Sequence, residues 1–145
     1  MKILSCIVTS YNCGRFLEEC LSSIRTQTFQ DFELIIVDDA SRDDSIDIAK
    51  KFNPDFFVCH EINQGTVASK NEGVKKSTGK YVCCMDADDV LDATYFEKCV
   101  EVLNSNPEVA ISFSDFWHFG KGKDNGVCFP EYSLEKLQEW NFILG

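Results

Sequence analysis

The stretch Tyr81-Val82-Cys83-Cys84-Met85-Asp86-Ala87-Asp88-Asp89 constrains this chain more than any other. Five uncharged, largely apolar residues run straight into three carboxylates within four positions, which reads as a buried strand ending in a concentrated negative site. Carboxylates packed that closely repel one another, and a cation is the usual way to make the arrangement tolerable. The bland alternative is an acidic turn that caps the next helix. Asp92 alone could do that, and three acids abutting a strand exceed capping needs.

The same grammar recurs along the chain. Residues 3–9 are an apolar, β-branched run broken by Ser10-Tyr11-Asn12-Cys13-Gly14, after which Phe16, Leu17, Cys20, Leu21 and Ile24 share one helical face. A second strand, residues 32–37, ends on Asp38-Asp39. Asp43, Asp44 and Ser45 offer caps to a helix carrying Ile46, Ile48, Ala49 and Phe52. Residues 56–59 are a third, shorter strand, residues 66–77 a third helix, and the opening stretch the fourth strand. A helix over 93–104 follows, then an expected strand over 109–113. Asp124-Asn125-Gly126 has the chemistry of a tight hairpin turn, and Ser133 can cap a last short helix through Trp140.

Strand and helix in alternation imply parallel βαβ units, hence a single α/β domain over 1–145 with helices on both faces of the sheet. Ligands of such sheets bind at the carboxyl ends of the strands. Three of those ends are distinctive: Thr9-Ser10-Tyr11, Asp38-Asp39 and Asp86-Ala87-Asp88-Asp89. Parallel strands bring these three clusters to one edge.

Composition narrows the partners. With 24 acidic and 14 basic residues the formal net charge is -10, which argues against a nucleic-acid duplex, because phosphate backbones call for basic stripes. Nucleotides stay open, since a divalent ion can neutralise their phosphates. No run approaches the ~18 apolar residues of a membrane span, and the N-terminal apolar run is too short and interrupted for a signal peptide. The eight cysteines contain no C-x-x-C pair, so free thiols in a cytosolic protein are the default expectation.

Other site chemistries lack their motifs. There is no G-x-G-x-x-G, no P-loop and no G-x-S-x-G elbow. An EF-hand starting at Asp86 fails because Leu91 stands where the loop needs glycine. A phosphoacceptor receiver domain would carry its acidic pair after the first strand, whereas here the pair follows the second. His60 and His118 match no metal-ligand spacing and read as ordinary. Lys70, one turn into the third helix, could meet phosphate oxygens; Lys75, Lys76 and Lys80 read as surface lysines.

Taken together, Ile7-Val8-Thr9-Ser10-Tyr11-Asn12, Leu21 to Phe29, Phe32 to Ser41, Asn63-Gln64-Gly65, Lys70-Asn71-Glu72-Gly73, Gly79-Lys80-Tyr81 and Asp86-Ala87-Asp88-Asp89 resemble the nucleotide-sugar-binding half of a family 2 glycosyltransferase with a GT-A fold. The resemblance implies an inverting, metal-dependent hexosyl transfer from a nucleotide-sugar, a UDP-sugar in the first instance, to a glycan or lipid-linked acceptor. Thr9, Tyr11 and Asp39 would line the base and ribose site with Asp38 adjacent, and Lys70 would contact base or diphosphate. Asp86 and Asp88 would form the D-x-D motif, with Asp88 the direct ligand of Mn²⁺ or Mg²⁺ and Asp89 in support. The family's catalytic base belongs to an acceptor-binding portion that would begin near Leu144-Gly145, and neither Asp115 nor Glu131 stands in its context. The implied setting is the cytoplasm, with peripheral membrane contact left open. The runner-up is a non-catalytic nucleotide-sugar-binding module.

Overall fold

A computed structural model describes residues 2–119 and 125–127. Contacts group the chain into two compact units, Met1–Val100 and Glu101–Gly145.

The first unit is built on β1 (Leu4–Ser10), β2 (Phe32–Asp38), β3 (Phe56–Cys59) and β4 (Tyr81–Asp86), joined through α1 (Gly14–Arg25), α2 (Ser45–Lys51) and α3 (Thr66–Lys76). The sheet order is β3-β2-β1-β4, and every pairing is parallel. β1 and β2 are buried along their whole length, which is why their sequences run apolar without alternation. Side chains still alternate between faces. Leu4, Cys6 and Val8 join Leu17, Cys20, Leu21 and Ile24 of α1 in the larger core, and Ile7, Ile35 and Val37 form a thinner one on the other face. Each fully buried Leu, Ile or Val contributes roughly 1.5–3 kcal/mol. Phe16, expected on the buried face of α1, is instead 43% exposed, with the Arg15 guanidinium 5.1 Å from its ring centroid. The stripe formed by Leu17, Cys20, Leu21 and Ile24 already fills that face, and Phe16 falls at its flank.

Register places the strand ends as the pattern requires. Thr9 pairs with Val37 on one side and Asp86 on the other, and Ser10 pairs with Asp38. At the opposite end of the sheet Glu33, 5% exposed, accepts hydrogen bonds from Ser5 Oγ at 2.5 Å, Thr78 N at 2.6 Å and Thr78 Oγ1 at 3.0 Å. Gly79 N donates to Ser5 Oγ at 2.9 Å, and a Cβ on Gly79 would stand 2.6 Å from the Ser5 nitrogen. Only glycine lets the two backbones approach that closely.

A last helix, α4 (Tyr95–Ser105), begins in the first unit, where Phe96 and Val100 are buried. In the second unit β5 (Phe116–His118) pairs antiparallel with β6 (Asn125–Val127). Two expectations change here. Residues 109–113 form no strand, and Ile111 is exposed. A β-branched run becomes a strand only within a ladder, and residues 109–113 belong to neither of the described sheets. Asn125 and Gly126 lie in β6 rather than in a turn: Gly126 pairs with Trp117, whose ring stands where a Cβ would be, so the glycine serves close packing. The hairpin connection at Asp124 and the helix through Trp140 lie outside the described residues. No helix among the described residues is long and apolar enough to cross a membrane. The seven described cysteines are free thiols.

Candidate functional site at the carboxyl ends of the sheet

The three strand ends meet. Thr9 Oγ1 donates to Asp86 Oδ1 at 3.2 Å, and Lys70 on α3 sets its ammonium 3.2 Å from Asp86 Oδ1 and 3.5 Å from Oδ2. Residues 9, 70 and 86 were singled out separately in the sequence, and the fold makes them one cluster. α3 can carry Lys70 close to the sheet because Gly73, one turn on, lies against Ile7 with no room for a Cβ.

Beyond Asp86 the chain turns, with Asp89 N donating to Asp86 O at 3.2 Å. Asp88 and Asp89 are exposed there. Although the residue is exposed, partial desolvation of its carboxyl, then the Asp88 and Asp86 charges, pushes Asp89 above the ordinary aspartate range, against the pull of Lys70. The turn is held from α1. The Cys20 thiol donates to Asp86 O at 3.7 Å, and it remains a thiol because burial, followed by the Asp89 and Asp88 charges, raises its pKa to about 12. Ser23 Oγ accepts from Leu91 N at 3.1 Å, and Gln27 bridges Asp92 O at 2.6 Å and Phe96 N at 3.0 Å. Thr28 N donates to Ala93 O at 2.8 Å. The segment from Leu21 to Phe29 thus acquires a physical role that spacing could not supply: it straps down the loop that carries the acids.

The acids after β2 turn inward. Asp38, 1% exposed, receives Ser41 N at 2.8 Å and Ser41 Oγ at 2.6 Å, closing a turn in which Ala40 adopts φ 66°. Asn12 ties this turn to the end of β1: its N donates to Ser41 Oγ at 2.9 Å, and its Oδ1 accepts from Arg42 N at 2.8 Å. Asp39, 3% exposed, is bonded by Gln64 N at 2.9 Å, Gly65 N at 2.8 Å and His60 Nδ1 at 2.7 Å. Burial works to raise its pKa, but the His60 bond and the two amides outweigh it and hold the carboxyl below its usual range. The Asn63-Gln64-Gly65 loop is therefore clamped by Asp39, with Gly65 at φ 88°, a conformation that suits glycine. His60, which reads as ordinary in the sequence, lies against Asp39 and on the wall of a cleft. Nothing in its spacing announces it, since its partner lies 21 residues upstream.

Beside this cluster lies a cleft of about 310 Å³ lined by Tyr11, Ser41, Cys59, His60 and Ile62 among others. Tyr11 is 48% exposed, leaving a ring face free to stack. Among the described residues no three acidic, His or Cys groups gather as a cage for a metal. Mg²⁺-class ions do not require such a cage, since they bind through one or two carboxylates plus phosphate oxygens.

An all-parallel, helix-covered sheet with its polar groups gathered at the strand carboxyl ends defines the α/β class whose ligands sit in that crevice. The sequence profile of Glycosyl transferase family 2 matches residues 5–139, and the chain belongs to that family. It is 32% identical over 146 residues to an uncharacterized glycosyltransferase, YibD, of Escherichia coli K12, covering 98% of this chain and 41% of the relative. It is 28% identical to a chondroitin synthase of Pasteurella multocida, covering 94% of this chain and 15% of that protein. Among solved structures it resembles Staphylococcus aureus TarS 1-349 in complex with UDP-GlcNAc, with a TM-score of 0.69 and 27% identity, covering 74% of this chain and 32% of TarS 1-349. It also resembles a mannosyltransferase of Pyrobaculum calidifontis in complex with GDP-Man and Mn²⁺, with a TM-score of 0.59 and 25% identity, over 63% of this chain and 29% of that one. The fold is thus GT-A, and the chain spans less than half the length of each of these proteins.

Proposed function

We propose that residues 1–145 are the donor-binding half of an inverting glycosyltransferase that takes a nucleotide-sugar, a UDP-sugar first, and passes the sugar to a glycan or lipid-linked acceptor. The observation that carries this reading is the Thr9-Asp86-Lys70 cluster at the carboxyl ends of β1 and β4, on the same sheet whose β1 and β3 lead into the cleft residues Tyr11 and His60. TarS with UDP-GlcNAc supports the choice of UDP, and the Pyrobaculum enzyme with GDP-Man and Mn²⁺ supports the metal.

In this reading Tyr11 stacks on the base, and the clamped turn from Asp38 to Ser41 shapes the wall beside it. Thr9 and Lys70 hold Asp86 toward the ribose, and Lys70 adds positive charge near the diphosphate. Asp88, the exposed acid, and Asp86 would hold Mn²⁺ or Mg²⁺, which supplies Lewis-acid stabilisation of the charge on the departing nucleoside diphosphate. Asp89 adds negative potential behind them. Deprotonation of the acceptor hydroxyl is assigned to an acid of the acceptor-binding part of the enzyme, not to a residue named here.

A thermal melt with UDP, GDP or CDP, each with and without Mn²⁺, tests the reading. At 100 times its dissociation constant, UDP with Mn²⁺ should stabilise the fold by roughly 2.7 kcal/mol. Asp88→Asn should lose the part of the shift that depends on Mn²⁺. A folded chain whose melt ignores all three nucleotides is not a donor domain.

A further inference from the structure

One buried polar side chain joins three elements of the first unit and does not line the cleft. Gln27, just past the end of α1, is 2% exposed. Its Nε2 donates to Ser23 O at 3.1 Å and to Asp92 O at 2.6 Å, and its Oε1 accepts from Phe96 N at 3.0 Å. Two donors and one acceptor on one flat group are what a side-chain amide supplies. A carboxylate there would turn a lone pair toward two carbonyl oxygens. An apolar side chain would leave all three backbone groups without this partner.

Gln27 completes a row. Cys20 and Ser23 precede it at helical spacing on the buried side of α1, and the three meet the chain after β4 in order. Cys20 Sγ reaches Asp86 O, Ser23 Oγ receives Leu91 N, and Gln27 holds Asp92 O. The turn is thus fastened on both sides of Asp88 and Asp89, whose side chains are exposed, while Ala87 between the anchors is buried. Gln27 also links this turn to α4, because Phe96 N is one of the first-turn amides that a helix leaves unbonded.

We propose that Gln27 is a positioning residue for the divalent cation: by fixing Asp92 O against α1 and α4 it sets where Asp88 stands, and hence how tightly the cation is held. The proposal rests on the donor-binding reading above, in which Asp88 is a ligand. A Mg²⁺-class ion demands near-octahedral geometry, so a carboxylate on a turn that is free to shift holds it poorly. Groups that orient metal ligands without touching the metal are worth about 10–100-fold in affinity.

Wild type, Gln27→Met, Ser23→Ala and Glu33→Gln are titrated with Mn²⁺ in the presence of UDP, below the melting temperature of each, and free Mn²⁺ is read from its electron paramagnetic resonance signal. Glu33→Gln is the control. It loosens the fold at the other end of the sheet, where Glu33 meets Ser5 and Thr78, and should keep wild-type Mn²⁺ affinity. Gln27→Met should weaken Mn²⁺ about tenfold or more, the effect of losing such an orienting group. Ser23→Ala removes only the partner of Leu91 N and should shift affinity in the same direction by less. A folded Gln27→Met with wild-type Mn²⁺ affinity overturns the assignment. So does a Glu33→Gln that loses as much as Gln27→Met, because general loosening would then explain both. If Gln27→Met does not fold, Ser23→Ala decides alone, and wild-type affinity there sinks the idea. A wild type that binds neither UDP nor Mn²⁺ overturns the donor reading itself, a separate result.

Discussion

Thr9 and Asp86 face each other across neighbouring parallel strands, 77 residues apart in sequence, and the threonine hydroxyl donates to Asp86 Oδ1 at 3.2 Å. Lys70 holds the same carboxylate from α3. The acid is thus oriented from two sides, which is what the proposed diphosphate site would need in order to act without rearranging.

Thr9→Val preserves shape and removes the hydroxyl. The fold should lose about 1 kcal/mol, the net worth of a single hydrogen bond, while affinity for UDP with Mn²⁺ falls about tenfold as Asp86 loses one of its two supports. Urea denaturation and calorimetric titration measure the two effects separately. Unchanged affinity would place Asp86 outside the donor site.

Glu33 governs acid stability. Burial would raise its pKa, but the Ser5 and Thr78 hydrogen bonds outweigh this and hold it below the ordinary glutamate range; Asp39 is depressed in the same way by His60, Gln64 and Gly65. Because both native values lie below the unfolded ones of about 4, the unfolded chain binds more protons in acid. Stability is therefore complete above about pH 5 and drains away as pH falls through 4 and then through the depressed native values. Glu33→Gln should cost roughly 1–3 kcal/mol at pH 7, since an amide NH₂ would point at groups that also donate, and should flatten part of the acid slope. Urea midpoints at pH 7 and pH 3.5 for both proteins decide it. A variant as stable as wild type at pH 7 would show that the Glu33 network contributes nothing.

Gly73→Ala tests how α3 seats Lys70. The added Cβ would collide with Ile7 Cγ2, so helix or strand must shift; overpacking of this kind costs typically 1–3 kcal/mol. The shift should also draw Lys70 away from Asp86. A lower melting temperature together with weaker UDP binding is expected, whereas a lower melting temperature with intact binding would separate α3 packing from the site.

Much of this architecture is legible in the sequence, for a stated reason. Residues 4–9 and 32–37 lie in strands buried along their whole length, and such strands must be apolar throughout, while 81–85 is partly covered with Val82 exposed; the residues that follow these strands must then carry the polar chemistry at the sheet edge. Hence Thr9, Asp38, Asp39 and Asp86 are readable as a cluster before any coordinates. The misses fall where the outcome depends on what a residue meets. His60 looks like any histidine until the turn after β2 delivers Asp39 to it. Residues 109–113 have the composition of a strand, but composition cannot supply the neighbour to pair with. Asn125-Gly126 has the chemistry of a turn, yet Gly126 is required by the bulk of Trp117 across the ladder. Phe16 belongs to the apolar class, but α1 has only one buried stripe, and four other residues occupy it.

The Glu33 network and the Asp86 cluster sit at opposite ends of the same strands, and this separation bears on how such a chain can diverge. Substitutions around the cleft, where Tyr11 and His60 stand, leave untouched the buried carboxylate that ties β1, β2 and the segment before β4 together. A lineage can therefore change what the chain meets at one end of the sheet while the other end goes on guaranteeing that there is a sheet.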